Sequence, residues 1–65
     1  MSDLIETPNL PDHDRFYADL LTAHKNLTET QSQALNAQLI LILANHIGDR
    51  EVLQQALALA RKGFD

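Results

Sequence analysis

Between Thr28 and Gly48 runs a segment that reads as one long helix and is apolar almost all the way round. Successive residues of a helix are turned by about 100°. On that wheel Leu35, Leu39, Ile42 and Leu43 share one side, and Ile40, Ala44 and Ile47 continue the apolar surface. Ala37, Leu41 and Ala34 carry it further, and the polar remainder is a narrow line of Gln31, Gln38 and Asn45. A surface helix normally keeps a much wider polar face. The segment has clear ends. Thr28-Glu29-Thr30-Gln31 has the capping-box pattern, and Gly48 stands where a left-handed residue closes a helix. Residues 29–46 are therefore expected to form a helix about 27 Å long.

A chain of 65 residues has little with which to cover such a helix: its two amphipathic neighbours, the first and third helices, can cover about half of it. A domain of this size buries a modest part of its surface and is marginal alone. Small folds gain support from disulfides, a metal or a partner chain. There is no cysteine, so disulfides and thiolate metal sites are excluded. Oligomerisation is the favoured support, and a two-fold homodimer is its commonest form. The surplus apolar surface centres on Ile40, Leu41, Ala44 and Ile47, which are the expected interface residues. The other possible covers are the N-terminal arm and a different protein.

The flanking segments are conventional. Residues 1–11, with Pro8 and Pro11, show no period and read as an extended arm, whose Leu4, Ile5 and Leu10 can dock on the body. Residues 12–65 read as a single helical domain. Its first helix is expected over 12–26, with Asp12 and Asp14 at the positive end of the dipole. Phe16, Leu20, Ala23 and Leu27 form its stripe, and the Phe16/Tyr17 pair reads as core. A third helix is expected over 50–62, capped by Asp49. Val52, Leu53, Ala56, Leu57, Leu59, Ala60 and Phe64 fall on its apolar side, with Gln54, Gln55 and Ala58 among those opposite. The expected fold is all-α, three helices with an N-terminal arm, assembled into a helical homodimer.

Four polar residues fall among apolar ones: Tyr17 and His24 on the first helix, Asn36 and His46 on the second. Buried polar groups need partners. The economical reading is that these four satisfy one another or meet across an interface. The functional reading is a small ligand-binding or catalytic site. The histidines lack the spacing of a metal motif, so no metal or other cofactor is called for. His13 beside Asp12 or Asp14 is a weak cation contact, because adjacent helical residues diverge. Ser32 has no recognisable base in sequence, and Gly48 and Gly63 are isolated, which excludes a nucleophile elbow and a phosphate loop.

Charge narrows the partners. The net charge is −4, and Arg15, Lys25, Arg50, Arg61 and Lys62 are dispersed. Nucleic-acid binding needs a basic face, so a helix-turn-helix role for the second and third helices is disfavoured. The N-terminus lacks the pattern of a signal peptide, and the longest apolar run, Leu39 to Ala44, falls far short of the roughly 20 residues that span a bilayer. The expected setting is cytoplasmic, with no membrane partner.

The strings FYADLLTAH and LTETQSQALNAQLILILANHIGD, followed by a Leu/Ala-rich helix, resemble a bacterial family of very small proteins of unknown function. The likeness covers nearly all of the chain after the arm. It is most specific at Gln31-Ser32, Asn36-Ala37 and the run from Ala44 to Asp49. The family has no established activity. The resemblance implies a bacterial, cytoplasmic protein with an accessory role beside a flavin-dependent catabolic oxidoreductase or hydroxylase. The leading functional reading is thus a non-catalytic, self-associating helical module; the site of Tyr17, His24, Asn36 and His46 is the alternative.

Overall fold

The computed structural model describes residues 3–64, which contain three α-helices and no strand. Met1, Ser2 and Asp65, the outermost residues of the expected arm and helical domain, lie outside them. Helix α1 spans His13–Ala23, α2 Glu29–Ile47 and α3 Arg50–Arg61, and a short 3₁₀ turn follows at Lys62–Phe64.

The helix ends follow local chemistry. Ahead of α2 the Gln31 amide donates to Thr28 Oγ1 at 3.1 Å, and the Thr28 amide donates to Gln31 Oε1 at 3.0 Å. This is the expected reciprocal capping box. At the other end Gly48 has φ 65° and its amide donates to the Ala44 carbonyl at 2.9 Å. Only one residue then separates Gly48 from α3. Asp49 caps it, with Oδ1 accepting from Glu51 N at 3.0 Å and Val52 N at 3.2 Å. The last turn is tightened, and Arg61 Nη1 donates to the Phe64 carbonyl at 2.7 Å.

Helix α1 departs from expectation at both ends. Asp12 precedes it in the left-handed region at φ 55°, and its side chain makes no capping bond. Its carbonyl instead accepts from Arg15 N at 2.9 Å and Phe16 N at 3.2 Å. The helix also stops at Ala23 rather than running to residue 26. Asn26, at φ 64°, reverses the chain there. Asparagine is one of the few non-glycine residues that tolerate this conformation, because its short amide can bond locally.

The helices pack loosely, and none of the described residues is buried. The chain exposes 6097 Å². A compact monomer of 7.3 kDa exposes about 4,200 Å², so the surplus is roughly 1,900 Å². The radius of gyration is 13.6 Å, against roughly 11 Å for a compact domain of this length. What core there is consists of half-covered side chains, notably Leu20, Leu35, Leu39, Val52 and Leu53.

This corrects the expectation that the stripes of α1 and α3 are spent inside the chain. The Phe16/Tyr17 pair is not core, since Tyr17 is 61% exposed, and Leu57 and Phe64 stand open on the α3 side. The reason is geometric. Periodicity gives the apolar face of each helix, whereas the short connections decide which face meets a neighbour.

Candidate functional site

Helices α2 and α3, joined through Gly48 and Asp49, flank an open cleft of about 440 Å³. Ile40, Leu41 and Ala44 line it from α2, and Leu53, Ala56, Leu57 and Ala60 from α3. The lining contains no charged and no polar side chain. Leu41 is 70% exposed and Leu57 69%. Three of the four expected interface residues, Ile40, Leu41 and Ala44, therefore share one cleft. Ile47 is half exposed but is not part of the lining.

The contribution of α3 was missed because its apolar side was assigned to internal packing. A signal was present. Leu53, Ala56, Leu57 and Ala60 have the spacing i, i+3, i+4, i+7, and so do Ala37, Ile40, Leu41 and Ala44 on α2. Two matched short stripes in one chain mark faces that can interlock.

The polar set divides. His24 Nε2 and Asn36 Oδ1 lie 3.0 Å apart, tying the end of α1 to α2. With this amide orientation the histidine N–H donates. An exposed bond of this kind contributes at the low end of about 0.5–1.5 kcal/mol. Tyr17 and His46 stand exposed, and among the described residues neither joins that contact. On the wheel His46 shares a side with Leu35 and Leu39, but it stands at the very end of α2, one residue before Ile47, and is exposed there.

Two further contacts differ from the sequence reading. His13 Nε2 meets Asp14 Oδ1 at 3.2 Å, although the two are adjacent on the helix. Both side chains are largely in water, where such a pair contributes little. No group of three metal-ligating side chains occurs among the described residues. The N-terminal segment, a possible cover for α2, lies instead on α3. There the Leu4 amide donates to Gln55 Oε1 at 2.9 Å. Leu4 and Glu6 then form a shallow pocket with Gln55, Ala58 and Lys62, on the side of α3 expected to face solvent, and with Leu59 from the side read as apolar. Ile5 and Leu10 remain exposed.

The fold and cleft thus define a small all-α protein whose most prominent surface feature is an apolar one. The chain belongs to the family described as "Protein of unknown function (DUF2783)", matched over residues 4–62. The match begins within the N-terminal segment, so the family resemblance extends further than the helical strings that suggested it. The chain matches no curated protein and no solved structure. No helix among the described residues is long and apolar enough to cross a membrane.

Proposed function

We propose that this chain is a non-catalytic helical module that self-associates through its central helix. The supporting observation is that Ile40 and Leu41 are each more than 60% exposed, and Ile47 half exposed, on a helix with only a narrow amide line. Exposed apolar surface of this extent is what an association face looks like. Burying a leucine or isoleucine side chain stabilises by about 1.5–3 kcal/mol, so the drive to cover this helix is large against typical domain stability. Light scattering at micromolar concentration tests the reading. A mass of at least twice 7.3 kDa is expected. A 7.3 kDa monomer over the whole range contradicts it.

The finer role, accessory to a bacterial, cytoplasmic catabolic oxidoreductase, rests on the family resemblance. Addition of the module to a flavin-dependent hydroxylase of this kind should change its turnover or stability; no effect on either removes the role. The alternative, a ligand or catalytic site at Tyr17, His24, Asn36 and His46, has the His24–Asn36 contact in its favour. The exposure of Tyr17 and His46 weighs against it, since a site holds its groups in a concavity.

A further inference from the structure

We infer that the α2–α3 cleft is filled by the α2–α3 segment of a second copy, so that four helices share one core. The inference rests on the self-association reading and adds where the contact lies. It makes α3 an equal contributor with α2.

Area supports a second copy. Each chain exposes roughly 1,900 Å² more than a compact monomer of its mass. Covering that surplus on two chains hides about 3,800 Å² in total, inside the range of about 2,000–5,000 Å² seen for obligate homodimers. A small ligand covers only a fraction of it.

Shape supports the same occupant. A two-fold contact uses one patch against itself, so the patch must carry both projections and hollows. Here the projections are Ile40, Leu41 and Leu57, and the hollows lie over Ala44, Ala56 and Ala60. Both helices carry large and small residues at the same i, i+3, i+4, i+7 spacing, and a mixture of sizes lets facing layers interdigitate. Chemistry agrees. The cleft offers no counter-charge for an acidic or basic peptide, and a second copy brings only apolar groups to it. Gln31, Gln38 and Asn45 do not line the cleft.

The test compares three proteins by light scattering at micromolar concentration: the natural chain, Leu57→Glu and Ile42→Glu. Circular dichroism follows the helix content of each. Leu57 is already 69% exposed in the single chain, so a glutamate there removes little packing within the chain. The expected result is a dimeric natural chain, an Ile42→Glu dimer, and association of Leu57→Glu weakened by about a hundredfold or more, as for a central interface residue. A dimeric Leu57→Glu beside a dimeric natural chain overturns the cleft contact and leaves self-association standing. A monomeric natural chain overturns both. A second measurement needs no variant. With methyl labelling and a soluble paramagnetic agent, Ile40 and Leu57 should be shielded and Ile42 relaxed. Equal relaxation of all three in the dimer also overturns the inference.

Discussion

Gly48 sets the direction of α3, and with it the walls of the cleft. At φ 65° it occupies a conformation that L side chains rarely adopt. A Cβ there would meet the Asn45 carbonyl at 3.7 Å, an ordinary contact, so space is not the difficulty. Gly48→Ala should therefore cost about 1–2 kcal/mol, the left-handed penalty alone. Gly48→Asn should cost less, because asparagine tolerates that region. Urea unfolding midpoints at fixed protein concentration check both; an alanine as stable as glycine contradicts the assignment. Gly48 was legible in the sequence because a helix stop is a local event. The left-handed Asn26 was not, since asparagine is common in turns of several kinds. The pairing of His24 with Asn36 was legible as a need for partners. Which two of the four polar residues would meet was not, because that depends on how far α1 reaches along α2.

At the scale of elements, the ends of α2 and α3 are held by side chains that the sequence announces. The Thr28–Gln31 box joins two otherwise unpaired amides, and Asp49 Oδ1 satisfies two more. Thr28→Ala and Asp49→Ala should each destabilise by about 0.5–2 kcal/mol. Thermal unfolding followed at 222 nm reads this; an unchanged midpoint in either variant would falsify the role of that cap. The faces of the helices were also readable, because a period of 3.6 residues appears in each. Their partners were not. The stripe of α3 was expected to be consumed by α2, yet Leu57 and Phe64 are among the most exposed apolar groups of the chain. A wheel ranks the sides of one helix and carries no information on the angle at which the next one leaves. The N-terminal segment shows the same limit: Gln55, on the polar side of α3, is where Leu4 is bound.

For the whole molecule, the balance of area is decisive. A three-helix chain with no buried residue among those described lacks the core that offsets the entropy of ordering. Its all-α class was plain from the periodicity. The site proposed for its cover, a cleft shared with α3, emerged only when the two helices were placed together. The central claim is that folding and association are one equilibrium. Melting the natural chain at several concentrations between about 1 and 100 μM tests it most directly. Coupled folding predicts that each tenfold dilution lowers the midpoint by roughly 5 °C, by mass action on a dimer of this size. A midpoint that stays constant across that range would show that the single chain folds alone, and would contradict the account.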